Sequence, residues 1–235
     1  MYLLMRVLEI YQSKQGEGIW TGMPSIFVRL LGCPLRCRFC DTAYARGGGD
    51  EGEMGAELTP DEIAGRVLLL SHSHVVLTGG EPMLSPEIVE LTKQLKDFDY
   101  RITIETAGIM HHPVICDLMS ISPKLSNTLP QDGNLSVIRD HDRWRTKPEV
   151  VQQLVLRYHY QLKFVVDVTE DLDELEEYLT RLHGIVPSQV LLMPQAVDVE
   201  TMNQKAQWIE PYCSTKGYRY CPRMQLVWYG NKRKT

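Results

Sequence analysis

Short apolar runs rich in β-branched residues recur along the chain, and stretches with helical spacing of apolar positions separate them. Six runs predict buried strands at residues 25–31, 75–78, 101–105, 118–122, 161–166 and 190–193. Helices are predicted at 59–70, 85–96, 147–158, 170–182 and 199–212. Thr59-Pro60-Asp61-Glu62 supplies an N-cap, a first-turn proline and early acids, and Ser85-Pro86-Glu87 repeats that opening. Strands alternating with helices imply parallel βα units. Six such strands fit an α/β fold built as an incomplete, partial βα barrel of the TIM type, in which chemistry gathers at the C-terminal strand ends.

Polar motifs fall at those ends. A cysteine-rich loop follows the first strand, Thr78-Gly79-Gly80-Glu81-Pro82 ends the second, and Glu105-Thr106 ends the third. Ser122-Pro123-Lys124 ends the fourth and Pro194-Gln195 the sixth. A Gly-Gly pair or a Ser-Pro-Lys is by itself an ordinary turn, but polar residues at five strand ends on one rim read as a site. Residues 43–55 hold five glycines and read either as a loop over that site or as a solvated connector.

A length of 235 residues with 43% hydrophobic content suits one domain spanning 1–235. A net charge of −5 argues against a broad nucleic-acid surface. No apolar run approaches the roughly 18 residues of a membrane span. The opening residues lack the pattern of a secretory leader, so a cytoplasmic, reducing location is expected. Cys116, Cys213 and Cys221 are scattered and read as inert thiols.

Cys33, Cys37 and Cys40 lie within eight residues. Three thiolates can hold three irons of a [4Fe–4S] cluster and leave the fourth iron open to a small chelator. S-adenosylmethionine carries the amine and carboxylate that such an iron would take. The spacing also fits one face of a helix, hence buried thiols, but Gly32, Pro34, Arg36 and Arg38 suit a turn better. A structural zinc site would want a fourth ligand, and no Cys or His lies between Cys40 and His72. All three readings stand at this point, with the cluster favoured by the spacing.

The first 42 residues add a resemblance. Gln15-Gly16-Glu17-Gly18, then Arg29, then Cys33-x3-Cys37-x2-Cys40-Asp41-Thr42 resembles the 7-carboxy-7-deazaguanine synthases, radical S-adenosylmethionine enzymes of 7-deazapurine (queuosine-type) biosynthesis. The Thr78–Pro82 segment, Glu105-Thr106 and Ser122-Pro123-Lys124 extend it to about residue 125, and Gly230-Asn231-Lys232-Arg233 is similar to the tail of some members. The resemblance implies conversion of 6-carboxy-5,6,7,8-tetrahydropterin to 7-carboxy-7-deazaguanine with loss of ammonia. A 5′-deoxyadenosyl radical would take hydrogen from C6 and return it, so S-adenosylmethionine would be reused.

The resemblance also implies roles. Cys33, Cys37 and Cys40 would hold the cluster, and Thr42 would bind Mg²⁺. Phe39, Cys40, Asp41, Gly80, Glu81, Ser122, Pro123 and Lys124 would line S-adenosylmethionine, with Gly80 and Glu81 taking its amino group. Lys14, Gln15, Gly16, Glu17, Arg29 and Thr78 would bind the pterin, with Arg29 on its carboxylate. Gln195 is a further candidate contact. An electron donor such as flavodoxin or ferredoxin and a homodimer are implied; nucleic acid and membrane are not. Lys14 stands where members usually carry an aliphatic residue, and Gln225-Leu-Val-Trp228 lacks the histidine that many members place near the C-terminus. Two other functions are open: an activating enzyme that makes a glycyl radical on a partner protein, and a non-catalytic metal-binding module. The Q-G-E-G and C-D-T segments argue against the first.

Overall fold

Each predicted strand forms, and they line up side by side in parallel. The computed structural model describes residues 4–47, 54–131, 134–230 and 232. Positions 48–53 of the glycine-rich loop, and Asn231 and Arg233 of the tail, lie outside the described residues. In chain order the elements are β1 (Met5–Lys14), β2 (Pro24–Leu30), β3 (Ala56–Leu58), α1 (Pro60–Leu68), β4 (His74–Gly79), α2 (Ile88–Asp97), β5 (Arg101–Thr106) and β6 (Leu118–Ile121). There follow α3 (Leu135–Arg145), α4 (Pro148–Arg157), β7 (Tyr160–Val166), α5 (Asp171–Thr180), β8 (Val190–Pro194), α6 (Val199–Lys216), β9 (Arg219–Tyr220) and α7 (Met224–Tyr229). The sheet runs β3-β1-β2-β4-β5-β6-β7-β8-β9. Among the described strands only β1 pairs antiparallel, with β2 and with β3. The rest is the partial βα barrel that the strand–helix alternation predicts.

The sheet is covered on both faces, but the faces differ. Val28, Leu30, Val75, Leu77, Ile102, Ile104, Met119, Ile121, Leu162 and Phe164 join the main core. Residues one position out of phase point the other way, because side chains alternate along a strand. Register places Arg29 beside Thr78, Glu105 beside Ser120, and Ser120 beside Gln161. A polar row therefore crosses one face of the sheet, while hydrophobic burial holds the other against the helices.

Local chemistry explains the boundaries. Thr59 caps α1 through a complete capping box with Glu62. The predicted helix at 85–96 starts three residues later, because Pro82–Leu84 forms a 3-10 turn and the Ser85 hydroxyl bonds Glu87. The α6 helix runs past the predicted end at 212 to Gly217, whose left-handed φ of 72° closes it. Five of these elements have no counterpart among the predictions: β1, β3, α3, β9 and α7.

Candidate active site

The site is best built from the loop after β2. Gly32 leaves the strand at φ 119°, which favours glycine. The Gly32 amide donates to the Ala45 carbonyl at 2.9 Å and the Cys33 amide to the Arg46 carbonyl at 2.9 Å, so the loop closes on itself. Residues 34–42 between these ties form neither helix nor strand, as Pro34 and the arginines predict. Leu35 and Cys37 are buried with Ile109, and Cys33, Cys40, Ala107, Met110 and Trp144 pack on them. All six cysteines are free thiols.

Helix α3 pins this loop from outside. His141 is fully buried: its Nδ1 accepts the Arg36 amide at 2.8 Å, and its Nε2 lies 3.0 Å from the Thr128 hydroxyl. These contacts assign the tautomer with the proton on Nε2. The Arg38 amide donates to the Thr128 carbonyl at 3.0 Å, and its guanidinium pairs with Asp167 at 2.6 Å. Phe39 lies beneath that guanidinium, 5.5 Å from ring centroid to Cζ.

Burial pushes the Cys33 thiol up to about 12, and the nearby Glu81 adds to it. Burial raises Cys37 too, opposed by the charges of Lys124 and Arg46. Such thiols stay protonated until a metal takes the charge. Among the described residues no three His, Cys, Asp or Glu side chains converge on a point for one metal ion. A cubane places each thiolate on a different iron and needs no such convergence. Three free thiols on one closed loop, against an apolar wall, fit that group. Thr42 begins a 3-10 turn without a side-chain capping bond, and its hydroxyl lies 3.8 Å from Cys40 Sγ.

The β4 end is fused to this loop. The Gly80 amide donates to Leu30 O at 3.0 Å and the Glu81 amide to Gly32 O at 2.7 Å. A Cβ on Gly80 would overlap the Gly32 carbonyl oxygen. These glycines therefore allow strand ends to meet. Glu81 is turned inward: its carboxylate accepts the Thr106 hydroxyl at 2.7 Å, the Ala107 amide at 2.8 Å and the Met83 amide at 3.1 Å. Burial raises its pKa, and these hydrogen bonds oppose the rise. An ammonium reaching Glu81 would share an acceptor already in use. At the β6 end, the Ser122 amide donates to Thr106 O at 2.8 Å and Lys124 Nζ donates to the Ser122 hydroxyl at 2.8 Å.

The polar row lies beside these loops. Gln15 Nε2 donates to Glu105 Oε1 at 3.0 Å, and the Thr78 hydroxyl donates to Glu105 Oε2 at 2.9 Å. Arg29 is buried, with Nε on Glu9 at 2.7 Å and Nη2 on the Tyr11 hydroxyl at 2.9 Å. Gln161 receives the Ile19 amide at 2.9 Å and donates to Ser120 at 2.7 Å. Glu17 pairs with Lys163 and accepts Gln225 Nε2 at 2.6 Å. Burial alone would push Glu17 up, but the charges of Lys163 and Arg223 hold it down at about 2. Lys14 is exposed, its ammonium 5.7 Å from the Trp228 ring centroid. Gln195 accepts from Lys205, which also pairs with Asp167.

The fold thus gathers the cysteine loop, residues 15–17, Arg29, the 78–81 segment and 122–124 at one rim. Glu105, Ser120, Gln161, Lys163, Arg223 and Gln225 join them without having been singled out as binding residues. The first four were legible: Thr103/Glu105, Ser120/Ser122 and Gln161/Lys163 alternate with apolar residues inside runs that otherwise read as wholly buried. Arg223 and Gln225 carry no such signal, because long-range docking alone brings them here.

Comparison with known proteins agrees. The radical SAM superfamily profile matches residues 28–125. A 7-carboxy-7-deazaguanine synthase of Rhodopirellula baltica is 39% identical over 97% of this chain and 88% of its own. One from Halobacterium salinarum is 33% identical over 97% and 91%. The crystal structure of QueE from Escherichia coli shares the fold, with a TM-score of 0.71 at 23% identity, covering 95% of each chain. With the three-thiol loop and the polar row on one rim of a partial barrel, this places the chain in the 7-carboxy-7-deazaguanine synthase family of radical SAM enzymes.

Proposed function

We propose that this protein converts 6-carboxy-5,6,7,8-tetrahydropterin to 7-carboxy-7-deazaguanine and ammonia. The observation that carries the reading is the junction of the three-thiol loop with the buried polar row, in a chain of this family. The conversion loses only ammonia, so it needs no net oxidant. A [4Fe–4S] cluster with S-adenosylmethionine supplies, when bound, a carbon radical able to abstract hydrogen. Cys33, Cys37 and Cys40 would hold the cluster. Phe39, Asp41, Gly80, Glu81, Ser122, Pro123 and Lys124 would line the cofactor.

The polar row suits a pterin edge, which offers both donors and acceptors. Glu17, ionised and fixed by Lys163, would accept from the ring amino and amide groups. Gln15 and Thr78, both oriented by Glu105, would complete that edge with Gly16 and the Lys14 backbone. Arg29 would face the substrate carboxylate from a position held by Glu9. Its planar fork matches a carboxylate. Thr42, with its hydroxyl unused by the turn it begins, would offer one oxygen to Mg²⁺, whose other positions water and substrate can fill.

One sheet with one principal core supports reading 1–235 as a single domain. No described helix is long and apolar enough to cross a membrane. Six unpaired thiols support a reducing, cytoplasmic setting. An electron-donor protein such as flavodoxin or ferredoxin and a homodimer belong to the same reading. The glycyl-radical and metal-module alternatives are not favoured by the family. The test is anaerobic incubation of reconstituted protein with the pterin, S-adenosylmethionine, Mg²⁺ and a reductant. 7-Carboxy-7-deazaguanine in the product mass spectrum supports the assignment; an intact pterin beside consumed S-adenosylmethionine contradicts it.

A further inference from the structure

Arg223 sits where three elements meet. Its side chain is only 9% exposed, so each guanidinium nitrogen faces protein. Nη2 donates to Asp41 Oδ2 at 2.5 Å, on the cysteine loop. Nη1 donates to the Ala196 carbonyl at 3.0 Å, after β8. Nε lies 3.6 Å from Glu17 Oε1, on the loop after β1. That last separation is longer than a hydrogen bond, and Nε is a buried donor without a partner. Gln225 Oε1, two residues on, is a buried acceptor without a partner. The same segment docks on the Glu17 loop through the Met224 amide, which donates to Gly16 O at 3.0 Å.

We propose that Arg223 is a positioning residue that couples the two halves of the site, so that S-adenosylmethionine beside Asp41 orders the 15–18 loop that takes the substrate. The inference rests on the roles given above to Asp41 and Glu17. Ala196 fixes one arm of the guanidinium, and Asp41 holds the second. The Asp41 side chain is 57% exposed, so it lies where a bound cofactor can shift it. A shift there turns the planar fork and closes the gap between Nε and Glu17. An unmade buried hydrogen bond is costly, which favours closure. Coupling of this kind is reciprocal: substrate must tighten S-adenosylmethionine by the factor with which S-adenosylmethionine tightens substrate. Lysine keeps the charge but cannot span three acceptors.

The test is hydrogen–deuterium exchange on anaerobic, cluster-loaded protein with and without S-adenosylmethionine, together with the Kd of S-adenosylmethionine with and without pterin. In the natural chain, S-adenosylmethionine should slow exchange across 15–18 and at the Met224 amide. Pterin should tighten it about fivefold or more. Arg223→Lys should still bind S-adenosylmethionine but lose the slowed exchange, and the pterin effect should fall toward none. No slowing in the natural chain, or equal slowing in Arg223→Lys, overturns the proposal. Should Arg223→Lys misfold, Asp41→Ala removes the acceptor at the other end of the same link: loss of coupling in a variant that still binds S-adenosylmethionine supports the proposal and its retention overturns it. Slowed exchange in a protein that does not bind the pterin would support Arg223's role and remove the substrate assignment instead.

Discussion

Glu105 orients both Gln15 and Thr78, one with each carboxylate oxygen. Glu105→Gln replaces one acceptor by a donor and breaks that pairing. Hydrogen bonds to a charged group contribute about 1.5–3 kcal/mol, so the KM for the pterin should rise roughly tenfold or more. Iron content and S-adenosylmethionine affinity should not change, which steady-state kinetics and iron analysis check together. Gly80 carries a different constraint. Its Cβ would overlap the Gly32 carbonyl, so Gly80→Ala should destabilise even the metal-free chain by about 1–3 kcal/mol. A urea titration of that chain measures it, and an unchanged midpoint would show that the strand ends can separate freely. At this scale the cysteines and the residues matching the family pattern were legible. The inward turn of Glu81 was not, because nothing in Gly-Gly-Glu-Pro tells which way a carboxylate points.

Elements with a strong apolar period were legible, and those without one were not. In β1, Met5 and Val7 join the main core, the register shifts between Val7 and Glu9, and Glu9 is a carboxylate buried as the partner of Arg29 on the polar face. A charged residue at a buried position hides a strand from any hydrophobic pattern. α3 buries only His141 among its described side chains and therefore shows no apolar stripe. β9 has two residues and α7 six, too few for a period to emerge. Yet α7 covers the site loop, with Gln225 on Glu17 and Trp228 under Lys14. A chain ending at Arg223 should keep its circular dichroism and iron content, because the sheet does not depend on α7. Its KM for the pterin should rise several-fold. An unaltered KM would show that α7 does not shape the substrate loop.

Across the whole molecule, two buried histidines link folding to pH. Burial holds His74 at about 4, between the Ser25 and Thr103 hydroxyls, and His141 at about 4 beneath the cysteine loop. Their ordinary value is 6.5. Between those values the unfolded chain binds more protons than the folded one, so stability rises with pH through that window and is fully present above it. The metal-free chain should melt at a lower temperature at pH 5 than at pH 7, and His74→Gln should flatten the difference. The parallel α/β architecture was legible because six short apolar runs alternate with stretches of helical spacing. The differing faces of the sheet emerge only when neighbouring strands are set in register. The central claim is that the three-thiol loop and the polar row act as one site that uses S-adenosylmethionine without consuming it. The most direct measurement is anaerobic turnover with pterin in large excess over S-adenosylmethionine, counting 7-carboxy-7-deazaguanine formed against S-adenosylmethionine lost. Many products per S-adenosylmethionine are predicted; one 5′-deoxyadenosine released per product, or no product, would contradict the account.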